Sequence, residues 1–494
     1  MEMTQQDVDS IFNELNVLGN EIRAYQKKHE NLLEDVDLSR RKSLINLLNY
    51  IVFRKHDIRE LQDILHEFGL SSFSGSEGHI ASQIVQVKKR LKADFTPEIE
   101  PVCSFHEGRE ILESNTTKLF GKRKDQLIPH IMVTFDAAFL ENPKKIKELL
   151  TNGMNVARIN CAHDDPKTWL KLIDELKKYS AKLDIPCKVF MDLAGPKIRT
   201  EILGKGSDKG KVKINEGDEF YLVDKPVKFK KKDVIIGCTL PNITQFIKVG
   251  ERIMFDDGEL EASVIEKSEN RLKLQMLRNS KKSRNLKAEK GINFPDSDLE
   301  VPSLTDYDRE CLPFVVDHAD MVGYSFVNST QDIQVLQTEL NKYKKQPHIV
   351  LKIETPAAVK KLPSLLVQGM KENLIGVMIA RGDLAVEIGF ERMSEIQEEI
   401  LWFCEAAHVP VIWATQVLET LHKTGIATRA EMTDAANAIS AECIMINKGE
   451  YTVRVLRTLK DVLHRTSGHR YKKRYYLRPL NIAQNFTFKQ PESK

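Results

Sequence analysis

Eight short apolar runs, alternating with helical stretches and split by one β-rich block, decide what this 494-residue chain can fold into. Ile131 to Thr134, Asn155 to Asn160 and Pro186 to Asp192 precede the block. Met321 to Tyr324, Ile349 to Glu354, Ile375 to Ala380, Val411 to Thr415 and Cys443 to Ile446 follow it. Helical patterning lies between them, as at Asn142 to Asn152 and Lys167 to Lys178. Such alternation argues for parallel strands with helical crossovers. Eight strands are the number that closes a (β/α)₈ barrel. The expected class is therefore α/β, a TIM barrel built from residues 126–200 and 296–469.

The remaining segments read differently. Residues 1–125 carry apolar positions at three- and four-residue steps, such as Leu44, Leu47, Leu48 and Ile51, and form a helical N-terminal region. Residues 201–295 hold short β-like pieces at Glu219 to Val223, Asp233 to Gly237, Arg252 to Phe255, Glu261 to Ile265 and Leu272 to Leu277. Turn signals such as Asp256-Asp257-Gly258 separate them, which predicts a small inserted β-barrel. Its lysine runs, Lys228 to Lys232 and Lys281-Lys282, read as solvated loops. Residues 470–494 form a basic, tyrosine-bearing tail.

Charge and cysteines exclude several classes. The 74 basic and 71 acidic side chains leave a net charge of +3, which supports neither a nucleic-acid nor a membrane role. Seven scattered cysteines without a CxxC pair fit free thiols in a reducing cytoplasm. The N-terminus lacks the apolar core of a signal peptide, and no stretch is long and apolar enough to span a bilayer.

Chemistry concentrates at strand ends. Period-two alternation puts Lys352 and Glu354 on one face of their strand and Ile349, Leu351 and Ile353 on the other. On a solvated edge strand the pair would be an exposed ion pair of little worth. In a barrel, however, catalytic groups gather where strands end. Arg158, Asn160, Asp192, Arg381-Gly382-Asp383 and Thr415 mark other strand ends in the same way. Charges of both signs there point to a metal bound together with a phosphorylated anion. Glu354 and Asp383 are hard oxygen donors suited to Mg²⁺. Gly382 and Asp383 open a helix whose amides can bind a carboxylate or phosphate, with Gly382 letting that backbone approach closely. Arg158 and Lys352 can neutralise a transferring phosphoryl group.

The runs Gly153 to Asn160, Met191 to Thr200, Asp256 to Gly258, Lys290 to Asn293, Leu351 to Glu354, Ala380 to Leu384, Ala414 to Glu419 and Thr428 to Glu431 resemble, in that order, the pyruvate kinase family. The resemblance implies a barrel with a β lid inserted after the third strand. It implies phosphoryl transfer from phosphoenolpyruvate to ADP, giving pyruvate and ATP, with Mg²⁺ or Mn²⁺ as cofactor. It places Lys352 against the phosphoryl group, Glu354 and Asp383 on the metal, and Thr415 beside the enolate carbon. It gives the amides of Gly382 and Asp383 to the substrate carboxylate, and Arg158 and Arg199 to the phosphate site. His163, Lys290 and Asn160 fall on the nucleotide side, Lys290 arriving from the lid.

Departures from the family pattern carry expectations of their own. The family's potassium site uses asparagine, serine, aspartate and threonine, where this chain has Asn160, Ala162, Asp192 and Leu193. Lys197 stands where potassium-dependent members carry glutamate, so a fixed ammonium replaces K⁺ and activity is expected without it. Thr134 to Phe139 lacks the usual Gly-Pro turn near the nucleotide, which leaves nucleotide preference open. Ile446 to Glu450 departs from the usual Ser-Gly-Glu-Thr loop. No room remains for the family's regulatory C-terminal domain, so an unregulated short form is expected. The expected partners are phosphoenolpyruvate and ADP, with no nucleic acid and no membrane. A homo-oligomer is compatible with this reading, and the partner of the N-terminal region is not legible. Two other functions fit less of the pattern: a Mg²⁺-dependent lyase acting on pyruvate enolates, and a non-catalytic metabolite-binding scaffold.

Overall fold

The computed structural model describes residues 3–225, 230, 232–280, 285–297, 299, 301–472, 474–475 and 479. Lys281-Lys282, most of Lys228 to Lys232 and most of the basic tail, including everything after residue 479, lie outside the described residues. Eight parallel strands form a closed barrel: His130–Phe135, Val156–Asn160, Lys188–Asp192, Met321–Tyr324, His348–Ile353, Ile375–Ala380, Val411–Ala414 and Cys443–Ile446. The first strand pairs with the last, Met132 opposite Met445, which completes the ring. Each expected strand is present, its ends within two residues of the sequence reading.

Alternation along the strands sorts the side chains. Ile349, Leu351 and Ile353 join the core shared with the surrounding helices, whereas Val350 packs inside the barrel with Met132, Phe190, Met321 and Ile412. Lys352 is next on the inward face, so the strand carries it to the barrel's C-terminal mouth.

Between Asp192 and the helix Asp306–His318 the chain leaves the barrel and builds a seven-stranded mixed sheet. The sheet wraps a core of its own that includes Phe220, Phe255, Leu272 and Leu274. The five anticipated β pieces are there. Thr200–Ile202, Lys211–Lys213, Asn285–Lys287 and Ile292–Asn293 are strands that the sequence reading lacks. They are two or three residues long and too short to show a period.

Helices Gln5–Lys28, Leu38–Phe53, Arg59–Glu67, Ile80–Leu91 and Phe105–Phe120 make up the N-terminal region. Capping boxes start the first and last, Thr4 with Asp7 and Ser104 with Glu107. The last helix stops at Gly121, whose φ of 86° suits glycine. Its final turn inserts Leu119 and Phe120, both fully buried, among the side chains inside the barrel. These helices and the barrel share one continuous core.

Neutral side chains tie this floor of the barrel to the N-terminal helices. Asn46 donates to the carbonyls of Glu77 (2.7 Å) and Ala406 (2.8 Å), and Asn115 to that of His408 (2.8 Å). Burial pushes the His408 imidazole down to about 4. The neutral ring donates Nε2–H to the Gly78 carbonyl (2.8 Å) and accepts at Nδ1 from the Ser43 hydroxyl (2.9 Å). A hairpin of Arg470–Tyr471 and Arg474–Tyr475 closes over this end, Arg474 donating to the Gly75 carbonyl. No described helix is long and apolar enough to cross a membrane.

Candidate active site

Five strands contribute to one charged network at the mouth. The Lys352 ammonium lies 3.2 Å from Asp192 Oδ1 and 3.1 Å from Glu354 Oε1, and donates to Ser325 Oγ at 2.7 Å. Ser325 Oγ–H donates to the Leu193 carbonyl (2.7 Å), which leaves the hydroxyl oxygen as an acceptor for the lysine. Arg158 Nε donates to Asp192 Oδ2 (3.0 Å), and its Nη1 to Thr134 Oγ1 (3.1 Å). Glu354 Oε2 accepts the Phe326 amide at 2.6 Å.

Burial and charge compete at Lys352, Asp192 and Glu354. Burial works against the Lys352 charge, but Asp192 and Glu354 outweigh it and hold the ammonium above its ordinary range. Burial also opposes ionisation of Asp192, yet Lys352 and Arg158 keep it below the usual carboxylate range. Glu354 ends up on the other side: burial raises it, Lys352 offsets only part, and the Asp383 charge adds to the rise. Two carboxylates that repel across one cavity are a natural seat for a cation.

A second cluster forms where the sixth and seventh strands end. The helix Arg381–Ile388 follows directly from Ala380. Arg381 is buried; its Nε donates to the Ala414 carbonyl (3.0 Å) and its Nη2 to that of Thr415 (2.7 Å). Those bonds hold Thr415 at φ 62°, a strained setting for a β-branched residue. Thr415 Oγ1 in turn accepts the Gly382 amide at 2.7 Å, so that amide is engaged inside the protein. A Cβ at Gly382 would meet Thr415 only at ordinary contact distance, 3.5 Å.

A cavity of about 380 Å³ gathers most of the predicted residues. Arg158, Lys352, Glu354, Asp383 and Thr415 line its barrel side. Asn160, His163, Lys197 and Arg199 line the remainder, together with Ala162 and Leu193. Lys197 Nζ lies 2.8 Å from Asp383 Oδ1. Arg199 donates to the Glu289 carbonyl of the insertion (3.0 Å). Gly382 sits behind Thr415, outside the lining. Lys290 is not brought to the cavity either, since its ammonium pairs with Asp256 within the insertion at 2.9 Å.

Sequence reasoning misses Ser325, and it reads Arg381 only as part of a tripeptide. A serine after a strand carries no mark of its own, and Arg381 acts through backbone carbonyls that no sequence pattern reveals. The donor set fits a hard divalent cation. Among the described residues no three His, Cys, Asp or Glu side chains cluster as a metal cage. Glu354 and Asp383 instead line one cavity with Arg158, Arg199, Lys197 and Lys352, a set that suits Mg²⁺, which keeps waters and shares ligand oxygens.

The pyruvate kinase barrel-domain profile matches residues 130–454. The chain belongs to the pyruvate kinase family. Pyruvate kinase of Thermotoga maritima is 32% identical over 324 residues, covering 64% of this chain and 66% of that protein. The Kluyveromyces lactis enzyme is 32% identical over 332 residues, covering 65% and 64%. The Schizosaccharomyces pombe enzyme is 31% identical over 363 residues, covering 70% and 69%. The chain thus spans about two thirds of the length of the pyruvate kinases it matches. The eight barrel strands and the insertion fall inside the profile match, and the N-terminal helices precede it.

Proposed function

We propose that the chain transfers the phosphoryl group of phosphoenolpyruvate to ADP, giving pyruvate and ATP. The observation that carries this reading is the meeting of Lys352, Arg158, Glu354 and Asp383 around one cavity at the barrel mouth. Lys352, Arg158 and Arg199 hold the phosphoryl group and neutralise the charge that spreads over its oxygens. Glu354 and Asp383 would hold Mg²⁺ or Mn²⁺, which when bound supplies charge neutralisation at the phosphoryl and enolate oxygens. The phosphorus–oxygen bond to the enolate breaks as one to the ADP terminal oxygen forms. The released enolate takes a proton at carbon beside Thr415, whose hydroxyl Arg381 and the Gly382 amide hold in place. The Asp383 amide is left for the substrate carboxylate, and that of Gly382 joins it if Thr415 Oγ1 yields. Asn160 and His163 face the nucleotide, and Lys290 would reach it by leaving Asp256. In this scheme residues 201–295 act as the lid over a catalytic barrel of 126–200 and 296–469. None of the seven cysteines is in a disulfide, which suits a cytoplasmic setting.

The same reading makes K⁺ dispensable. Burial opposes the Lys197 charge, but Asp383 more than offsets it and holds the ammonium above its ordinary range. A permanent cation therefore stands in the cavity where Ala162 and Leu193 offer no side-chain oxygen.

Purified protein given phosphoenolpyruvate, Mg²⁺ and a panel of nucleoside diphosphates tests both parts. The expected result is one pyruvate formed per nucleoside triphosphate, at the same rate in K⁺, Na⁺ and Tris buffers. Binding of phosphoenolpyruvate without turnover would overturn the assignment. Activity that K⁺ alone restores would overturn the role of Lys197.

A further inference from the structure

Two cysteines meet behind the wall of the catalytic cavity. Cys161 is the first residue after the strand Val156–Asn160, and its neighbours Asn160 and Ala162 line the cavity. Alternation turns Cys161 the other way, with Ile159, into the core shared with the helices. There it meets Cys311 of the helix Asp306–His318, the two thiols hydrogen-bonded to each other. Tyr307 and Cys311 are four residues apart and share a face of that helix. The Tyr307 hydroxyl donates to the Cys161 carbonyl at 2.8 Å, so the helix holds Cys161 by backbone and side chain together. Asp308 Oδ1 accepts the amides of Ala194 (2.9 Å) and Gly195 (3.3 Å), which also line the cavity.

The surroundings of this pair differ from those of other cysteines in the chain. The hydrogen bond from Cys161 holds the Cys311 thiol below its ordinary range against burial, with help from Tyr307. The same bond raises Cys161, and burial adds to the rise. Cys311 is therefore the nucleophile and Cys161 its proton-bearing partner. Burial pushes Cys103 up to about 11 and Cys238 up to about 12, and it raises Cys187 and Cys443 further. Thiols raised in this way are inert by comparison.

We propose that Cys161 and Cys311 form an oxidative modification site, closed by peroxide into a disulfide that ties the rim of the catalytic cavity to the helix Asp306–His318. The Cys311 thiolate attacks one peroxide oxygen and the O–O bond breaks. A sulfenic acid is left on Cys311, and the released hydroxide takes the proton that Cys311 gave up. The Cys161 sulfur then attacks the sulfenic sulfur. The S–S bond forms, and the hydroxyl leaves as a second water with the Cys161 proton. Two electrons pass from the thiols to the peroxide. Cys161 is fully buried and Cys311 nearly so, and the oxidant enters past the exposed ring of Tyr307, which borders the cavity. The site stands apart from the phosphotransfer reading, since its test reads bonds and melting and not turnover.

The experiment treats the full reduced chain with hydrogen peroxide, alkylates the remaining thiols under denaturing conditions and maps tryptic peptides without reductant. Cys161 falls on the peptide Ile159–Lys167 and Cys311 on Glu310–Lys342, neither of which holds another cysteine. The expected product is these two peptides joined, lighter than their sum by two hydrogens and separated by dithiothreitol. The oxidised chain is expected to melt a few degrees higher, because the bridge closes a loop of about 150 residues. Cys161→Ala is expected to stop at the sulfenic acid on Cys311, which dimedone labels. Cys311→Ala is expected to slow peroxide consumption at least tenfold. The peptide map of the parent chain decides alone if neither variant folds. Both thiols still alkylated after peroxide, a bridge between any other two cysteines, or oxidation of Cys103 or Cys238 ahead of this pair would each overturn the proposal. A bridge that leaves the melt unchanged would overturn its bracing role.

Discussion

At the C-terminal mouth of the barrel, Lys352, Asp192, Glu354 and Arg158 crowd together almost out of water. At the opposite floor buried Asn46, half-buried Asn115 and a neutral His408 bond to backbone carbonyls, beside the ion pair of Glu442 with Lys472. The two ends use burial for different purposes. An amide donating to a carbonyl is satisfied as it stands and leaves almost no field behind. Opposed charges in a poorly solvated site leave strong local fields that a ligand can use. The mouth is arranged to receive something, and the floor is arranged to hold two parts of the chain together.

Lys352→Met is the strongest way to break this contrast. It is expected to lower kcat by roughly a thousandfold or more. It also strands Asp192 and Glu354, so the variant is expected to melt lower in the absence of a divalent cation and to recover part of that loss when Mg²⁺ is added. Steady-state assay and thermal melts read both. Unchanged turnover would show that the mouth's charges are structural only.

Asn46→Leu makes the matching cut at the floor. Two carbonyls and the Ile80 amide lose their partner. A cost of about 2–3 kcal/mol in chemical denaturation is expected, with kcat unchanged. A drop in kcat comparable to that of Lys352→Met would mean that the two ends are not separable.

The pH dependence of stability should run in opposite senses at the two ends. His408 titrates near 4 in the folded protein because burial disfavours its charge, and His79 and His130 do the same. An unfolded histidine titrates near 6.5. Between those values the unfolded chain binds more protons, so stability falls as pH drops from about 6.5 to 4. His408→Gln is expected to flatten that part of a melting-temperature profile.

Glu387 is the counter-case and the smallest effect. Burial pushes its carboxyl up to about 7, with Asn293 opposing the rise. The folded protein binds the extra proton, so this contribution is complete below about 4.5 and is lost as pH rises through 7. Glu387→Gln is expected to melt a few degrees higher than the parent at pH 8 and at the same temperature near pH 4. A variant gap that is equal at both pH values would remove Glu387 from the account.

These contrasts explain what the sequence could and could not show. The eight barrel strands are legible because most are compact apolar runs with charges near their ends, as in Ile375–Ala380 before Arg381. Lys352 and Glu354 are legible because alternation assigns them a face. The insertion's strands Thr200–Ile202 and Lys211–Lys213 are not, since three residues rich in charge carry no pattern. Ser325 and Arg381 act through distant backbone, which only the fold assembles. The floor is hidden for the same reason: Asn46 looks like any polar residue on a helix until Ala406 arrives from 360 positions away.

Phe120 and Leu119 have a practical consequence for anyone seeking a minimal catalyst. The profile match begins at residue 130, which invites trimming the chain there. Such a truncation would pull a cork from the barrel and wet the undersides of Met132, Val156, Phe190 and Ile412. The trimmed protein should collect in inclusion bodies, and adding back the peptide Phe105–Phe120 in trans should be the least intrusive way to coax it into solution.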